Sequence, residues 1–194
     1  MKLTINYQES YSRGELLLRT FFGGLYMILP HVFLLAIFSI WSQIITFIAF
    51  WSILFTGRYP QSFFDFNVGM QRWNLRLNAR WYNLSDGYPS FGVNGTDDAT
   101  SLEIPYPETL SRGLLLVKVF FGFLYVIIPH VFILYFRILW GSILGFIAFW
   151  SILFTGTYPR SFFDFNVGTL RWTTRVNLYM NLMTDDYPPF SGRE

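Results

Sequence analysis

The two histidines of the chain, His31 and His130, are the side chains best placed for chemistry, because each lies in a long apolar segment. Ionisable groups in such segments are costly and often functional, and a histidine pair can ligate a haem or a pigment or relay protons. Each histidine follows a proline, which cannot donate to the carbonyl four residues earlier. We favour a structural interpretation, in which a neutral histidine helps to satisfy this loosened backbone. Cofactor ligation and proton transfer or transport are the alternatives.

Asp65 and Asp164 occupy equivalent positions near the start of a predicted amphipathic helix in each half of the chain. A carboxylate in the first turn of a helix is stabilised by the helix dipole, so we expect a helix-start role, with pairing to Arg72 or to an arginine of the other half as an addition. Two convergent carboxylates could serve hydrolysis, but nothing else in the sequence supports that chemistry.

A third set of side chains combines guanidinium and indole groups on the same predicted helices. Arginine binds phosphate through paired hydrogen bonds, and tryptophan prefers the headgroup level of a membrane. Each basic residue near an anionic surface contributes about 1 kcal/mol of attraction. Lipid headgroup binding and generic anchoring by positive charge use the same physics and both stay open. The candidates are Arg72, Arg76, Arg171, Arg175, Trp73 and Trp172.

The composition indicates a membrane protein. Of the 194 residues, 53% are hydrophobic and only 13% are charged, whereas a typical soluble domain has about 25% charged residues. The net charge of +2 is too small to favour nucleic acid binding. The chain has no cysteine, and it lacks the glycine-rich phosphate-binding, zinc-protease and serine-hydrolase motifs. We therefore expect a protein that is not an enzyme and that carries no metal or other cofactor.

The chain is a tandem repeat with an offset of 99 residues. The segment Phe47–Trp73 matches Phe146–Trp172 at 23 of 27 positions without gaps. The polar, glycine-containing stretch between the halves indicates a connecting loop. The predicted organisation is a first repeat at 1–91, a linker at 92–100 and a second repeat at 101–194.

Each repeat contains one long apolar run. From Thr20 to Gly57 there is no Lys, Arg, Asp or Glu, and from Val119 to Thr157 there is only Arg137. A hydrocarbon core of about 30 Å takes about 20 helical residues, so each run is long enough for two helices. The length predicts a transmembrane or re-entrant helical hairpin in each repeat. The predicted helix, turn and helix are Leu16–Ile37, Phe38–Ser42 and Gln43–Thr56, and then Leu115–Phe136, Arg137–Ser142 and Ile143–Thr155.

Shorter elements flank each apolar run. An alternating segment opens each repeat and predicts a strand, and the two strands could pair across the repeats. The motif Gly-x-Tyr-Pro is expected to end the hairpin and to start a third helix. That helix has an apolar, tryptophan-rich face and an arginine-bearing face, which predicts a helix lying flat at the membrane surface. The strands are predicted at Leu3–Tyr7 and Leu102–Tyr106, and the motifs lie at Gly57–Pro60 and Gly156–Pro159.

Together these elements predict an all-α membrane protein of two parallel tandem repeats, each with a hairpin, an interfacial amphipathic helix and a short N-terminal strand. Nearly all charged residues lie outside the hairpins, and only Arg137 sits at a predicted tip. The positive-inside rule therefore predicts a multi-pass protein of the inner membrane with both termini in the cytoplasm. An even number of membrane segments per repeat relates the repeats by an axis along the membrane normal.

The string I-L-F-T-G-x-Y-P-x-x-x-F-D-F-x-V-G-x-x-R-W, followed by D-x-Y-P-x-F, occurs in both repeats. This pattern resembles the bacterial membrane proteins grouped as domain of unknown function 4389. The resemblance covers nearly the whole chain and implies two copies of that domain in a bacterial membrane. It implies no reaction, ligand or catalytic residue.

The function that these observations favour is a structural or accessory role in the bacterial inner membrane. The expected partners are anionic lipid headgroups and a larger membrane complex. A small transporter or channel that uses His31 and His130, and a haem- or pigment-binding subunit, are the alternatives.

Overall fold

The computed structural model describes residues 1–194 and contains four helices and one two-stranded ribbon. Both halves of the chain have the same order of elements: a strand, a long helix and a shorter helix. The elements are β1 Lys2–Ile5, α1 Arg13–Thr56, α2 Gln61–Trp81, β2 Thr100–Glu103, α3 Arg112–Thr155 and α4 Arg160–Met180.

The long helices α1 and α3 are continuous over 44 residues each, so the predicted hairpins are wrong. Both predicted turns, Phe38–Ser42 and Arg137–Ser142, are helical. The prediction used the length of the apolar run, but Phe38–Ser42 contains neither Gly nor Pro to interrupt helical hydrogen bonding. In the second copy, Gly141 stays helical in a close contact with α4, where a Cβ would lie 2.6 Å from Oδ1 of Asn166. The prediction of two membrane segments per repeat therefore loses its basis, and each repeat has one long helix that is apolar enough to cross a membrane.

Each long helix widens into one π-helical turn just before its proline, at Gly24–Ile28 and Phe123–Ile127. In the first copy the amide of Leu29 donates to the carbonyl of Gly24, five residues earlier. A proline within a helix supplies no amide donor, and its ring crowds the carbonyl four residues before it. The wider turn relieves that crowding, and the helix continues instead of ending.

The Gly-x-Tyr-Pro motifs act as predicted. Gly57 and Gly156 end α1 and α3 with φ of 74° and 78°, in the left-handed region where a side chain would be strained. The helices α2 and α4 begin directly after Pro60 and Pro159. The motif therefore reverses the chain in both repeats.

The strands β1 and β2 form one antiparallel pair, which confirms the predicted pairing across the repeats. Leu3 is paired with Leu102 in the ladder. These two residues are equivalent positions of the repeat, so the pseudo-two-fold axis that relates the halves passes through this pair. Both leucines are buried.

The two long helices run antiparallel and meet at both ends. Arg13 at the start of α1 donates to the carbonyl of Phe154 at the end of α3, at 3.1 Å. The equivalent Arg112 donates to the carbonyl of Phe55 at 2.9 Å. Antiparallel helices that are related by a two-fold axis lie perpendicular to it, so the axis through the ribbon is perpendicular to α1 and α3.

The shorter helices α2 and α4 lie in the interior, so their apolar and arginine-bearing faces are not free to contact a membrane surface as predicted. On α2 the tryptophan-bearing face and the arginine-bearing face are both covered, with Trp73 1% and Arg76 2% exposed. Leu75 and Ala79 of α2 pack in a core cluster with Leu16 of α1. Both helices are amphipathic as predicted, but their polar face is covered by the chain itself.

One side of each long helix is apolar and exposed along its whole length. In α1 this side extends from Leu17 to Phe55, and in α3 from Leu116 to Phe154. Both helices are long and apolar enough to cross a membrane. Their most apolar windows are only 11% and 22% buried, whereas the core helix of a soluble protein is mostly buried.

Candidate functional site

The predicted histidines lie at the centre of two equivalent clusters, which we call the first cage and the second cage. The first cage consists of His31, Trp73, Tyr88 and Phe91. Nε1 of Trp73 donates to Nδ1 of His31 at 2.8 Å. The ring of Phe91 stacks on the imidazole, with centroids 3.9 Å apart and planes within 6°. The ring of Tyr88 lies 5.4 Å from it, and His31 is fully buried.

The second cage consists of His130, Trp172, Tyr187 and Phe190 and has the same geometry. Nε1 of Trp172 donates to Nδ1 of His130 at 2.8 Å. The ring of Phe190 stacks on His130 at 4.0 Å, with planes within 2°. Nε2 of His130 also lies 3.2 Å from the hydroxyl of Tyr187, a contact that has no counterpart in the first cage.

The indole donors fix the protonation state of both histidines. Because Nδ1 accepts a hydrogen bond, the ring proton lies on Nε2 and the imidazole is neutral. In the second cage this proton points to the oxygen of Tyr187, whose own proton goes to the carbonyl of Tyr125 at 3.0 Å. Three hydrogen bonds thus run in one direction, from Trp172 through His130 and Tyr187 to the backbone of α3.

The tyrosines satisfy the backbone that the prolines loosen. Pro30 and Pro129 cannot supply the amide that would bond to the carbonyls of Tyr26 and Tyr125. Tyr88 donates to the carbonyl of Tyr26 at 3.1 Å, and in the second repeat Tyr187 donates to the carbonyl of Tyr125 at 3.0 Å. The proline–histidine sequence predicts this role for the histidines. The structure gives it to the tyrosines of the D-x-Y-P motif, and the histidines serve as acceptors for the indoles.

The cages leave little room for a ligand on the imidazoles. An axial ligand of haem needs a free ring nitrogen that faces an open volume. Nδ1 of each histidine is bonded to an indole, and each ring is covered by a stacked phenylalanine. Nε2 of His130 contacts Tyr187, and Nε2 of His31 has no hydrogen-bond partner but is buried. Each histidine belongs to a separate cage. The geometry therefore favours the structural interpretation over ligation or proton relay.

The predicted headgroup arginines bind loops of the chain instead. Arg76 donates to the carbonyls of Gly92 and Gly95 at 2.5 Å and 2.8 Å. In the second repeat, Arg171 donates to the carbonyl of Gly192 at 2.8 Å. The predicted headgroup contact is wrong for Trp73, Trp172 and Arg76, because these side chains are buried. The remaining arginines also have partners within the chain: Arg72 donates to Leu102 and Arg175 donates to Arg193.

An ion pair in the linker was missed by the sequence analysis. Arg80, on α2, makes two hydrogen bonds to Asp97 at 2.5 Å and 2.7 Å, and both side chains are largely buried. Burial raises the pKa of Asp97, but hydrogen bonds from Arg80 and Thr100 outweigh it and hold the pKa below its usual range. This ion pair therefore holds the linker against α2. No repeat signal could have shown this, because position 179, the equivalent of Arg80, is a tyrosine.

A second buried pair is present in both repeats and could have been found. Arg19, 4% exposed, bonds to Asp86 at 2.8 Å. In the second repeat Lys118, 2% exposed, bonds to Asp185 at 2.7 Å. Both carboxylates open the D-x-Y-P motif and both cations occupy equivalent positions in the long helices. The shared position of the opposite charges was the available signal.

The predicted helix-start carboxylates do not cap their helices. Asp65 and Asp164 are the fifth residues of α2 and α4, and both are exposed. Asp65 accepts from Gln61 at 3.0 Å, and Asp164 pairs with Arg160 at 3.2 Å. Neither pairs with Arg72 or with an arginine of the other repeat. The helices start where the prolines predict, but the fifth residue lies just beyond the first turn, so neither carboxylate meets the free amides there.

A buried tyrosine and asparagine join each helix pair near its reversal. Nδ2 of Asn67 donates to the hydroxyl of Tyr59 at 2.8 Å, and Ser42 of α1 donates to Oδ1 of the same asparagine at 2.6 Å. Asn166 donates to Tyr158 at 3.1 Å in the second repeat. Burial raises the pKa of Tyr158 to about 12, so it stays protonated. These polar groups hold the short helices against the long ones.

Comparison with protein families gives one family for both halves. The family described as domain of unknown function (DUF4389) matches residues 17–92 and again residues 117–192. Each match contains all but the first residues of one long helix, one short helix and one cage. Comparisons with curated proteins and with solved structures found no similar chain.

Proposed function

The chain belongs to the family of domain of unknown function DUF4389, and from that premise we propose that it is a membrane-embedded structural protein without enzymatic activity. The observation that carries the proposal is the continuous apolar side of α1 and α3. Large side chains such as Phe21 and Phe55 are 74% and 70% exposed there. A surface of this extent exceeds the apolar patches of a few hundred Å² found on soluble monomers and is typical of contact with lipid.

The interior chemistry supports a structural role. The histidines bind indoles, the arginines of α2 and α4 bind loop carbonyls, and Arg19, Arg80 and Lys118 are paired with carboxylates. Each of these groups is engaged in holding the short helices and loops against the long helices. The transport alternative relied on His31 and His130 and gains no support from the cages.

The proposed location is the bacterial inner membrane, with both termini on the cytoplasmic side and anionic lipid as the partner. Exposed basic side chains stand next to the ends of the long helices, at Arg58 and Arg160. Cations at the edge of an apolar surface fit the phosphate level of a leaflet and its negative potential. These residues replace the buried arginines as headgroup candidates.

Flotation with vesicles tests the proposal. The purified protein, exchanged from mild detergent, should float with vesicles of zwitterionic lipid and bind more tightly when anionic lipid is added. Arg58→Gln should weaken binding to anionic vesicles about five-fold, as expected for about 1 kcal/mol per basic residue. It should leave binding to zwitterionic vesicles unchanged, and Arg58→Lys should behave as the wild type. A chain that stays monodisperse without detergent and does not float would contradict the proposal. A stable larger complex from native membranes would identify a further partner.

A further inference from the structure

Charged side chains surround the pseudo-two-fold axis, level with the middle of the long helices. Lys2 and Glu103 are paired in the ribbon and both side chains are exposed. Asp98, just before β2, is exposed as well. Because the axis exchanges the two places where α1 meets α3, it lies midway between them. An exposed charged surface therefore lies level with the midpoints of the two long apolar helices.

This placement conflicts with an orientation in which the long helices cross a bilayer. Helices parallel to the membrane normal would put the axis in the membrane plane and Lys2, Glu103 and Asp98 near the bilayer centre. A charged side chain there costs at least about 2.5 kcal/mol. Each helix, with its 44 residues, is about 66 Å long, whereas the hydrocarbon core is about 30 Å thick.

An orientation parallel to the membrane removes both conflicts. The axis then lies along the membrane normal, and the apolar sides of α1 and α3 face the same leaflet over their full length. Charged groups within the long helices point the other way: Arg19 bonds to Asp86, Lys118 to Asp185 and Arg137 to Thr169, all in or after the short helices. The ribbon and the linker then lie on the aqueous side.

We propose that the protein lies flat in one leaflet, with α1 and α3 immersed side by side to the depth of their exposed apolar sides and with the ribbon in the cytoplasm. The occupant of the apolar surface is the acyl-chain layer of a single leaflet. This rests on the proposed function, since it takes contact with lipid as given, and it adds the orientation and the depth.

Depth measurements along one helix distinguish the orientations. The chain has no cysteine, so a single introduced cysteine takes one nitroxide label. Leu18, Phe33 and Phe47 of α1 are 48%, 64% and 63% exposed. Leu18 and Phe47 are 29 positions apart, which is about 44 Å along the helix. The labels on Leu18→Cys, Phe33→Cys and Phe47→Cys are read in mixed anionic and zwitterionic vesicles, by their relaxation with oxygen and with a water-soluble nickel chelate.

A flat helix predicts that the three labels share one depth, about 5–10 Å below the headgroups. The equivalent set Val117→Cys, Phe132→Cys and Phe146→Cys should give the same depth, and it supports the test if a variant of α1 does not fold. A label on Asp98→Cys should contact the nickel chelate. Depths that change steadily along α1 and pass the bilayer centre would overturn the flat orientation. Labels that all contact the chelate and not oxygen-rich lipid would instead overturn the proposed function.

Discussion

Tyr187 donates a hydrogen bond to the carbonyl of Tyr125 at 3.0 Å, and this is the carbonyl that loses its helical amide donor to Pro129. The proline and the D-x-Y-P motif are far apart in the sequence, yet each explains the other. The proline creates an acceptor on the long helix, and the tyrosine returns after the short helix to fill it. The cage around each histidine therefore holds the segment that follows the short helix against the long helix of the same repeat.

Removing the tyrosine hydroxyl of the second cage should lower the free energy of unfolding more than removing that of the first cage. Tyr187→Phe removes a group that donates to Tyr125 and accepts from His130, whereas Tyr88→Phe removes a single hydrogen bond. We expect a loss of about 2–3 kcal/mol in the free energy of unfolding for Tyr187→Phe and of about 1 kcal/mol for Tyr88→Phe. Unfolding by SDS in mixed micelles, followed by circular dichroism, measures both. Equal losses would show that the contact between His130 and Tyr187 contributes nothing.

A close approach between α2 and the linker gives a second prediction. A Cβ at Gly69 would lie 2.7 Å from Cβ of Val93 and 2.8 Å from its carbonyl oxygen. Gly69→Ala should therefore push the linker away and cost about 1–3 kcal/mol in the free energy of unfolding. Gly24→Ala is the matched control, because a Cβ there meets nothing within 4 Å. The same unfolding assay should find the control unchanged or slightly more stable. A Gly69→Ala variant as stable as the wild type would mean that the linker is not packed against α2 at this position.

The linker ion pair predicts a loss of stability in acid. The pKa of Asp97 is held below its usual range, because hydrogen bonds from Arg80 and Thr100 outweigh the effect of burial. A carboxyl of this kind stabilises the fold above its unfolded pKa, and that contribution disappears as the pH falls through the folded pKa. Stability should therefore fall below about pH 4 in the wild type.

Asp97→Asn tests this dependence. It leaves Arg80 buried without its counter-charge, so we expect a loss of about 3 kcal/mol near neutral pH and a flatter stability curve in acid. Asp98→Asn is the control. Because Asp98 is exposed, this substitution should change neither the stability near neutral pH nor the shape of the stability curve in acid. A curve for Asp97→Asn that runs parallel to the wild type in acid would exclude the ion pair as the source of the pH dependence.

Local signals in the sequence predicted the local features correctly. Gly57 and Pro60 reverse the chain because their backbone preferences act over a few residues, and the strands pair because their alternation and the repeat agree. The cages could not be derived, because they join Trp73 to His31 and Tyr88 to Tyr26 across separate elements. The amphipathic pattern of α2 shows that one side is polar, but it does not show whether water or the chain itself covers Arg76.

The hairpin prediction failed for a different reason. It assumed that an apolar run must cross the membrane, so a run twice the bilayer thickness had to turn back. A helix that lies in one leaflet has no such limit on its length. The continuous helix needs no breaker, and Phe38–Ser42 offers none. The length of the apolar run therefore favours a hairpin over a continuous helix only if the run is assumed to cross the membrane.

Proline substitution at the predicted turn separates the two folds directly. Ile40 lies inside α1, and its side chain is 63% exposed. Ile40→Pro removes one helical hydrogen bond and crowds the carbonyl of Ala36, which should cost about 3 kcal/mol in the free energy of unfolding. Ile40→Ala keeps the helix and should cost little in micelles. A turn at Phe38–Ser42 would accept the proline, so a proline variant as stable as the alanine variant would restore the hairpin and remove the basis for a flat orientation.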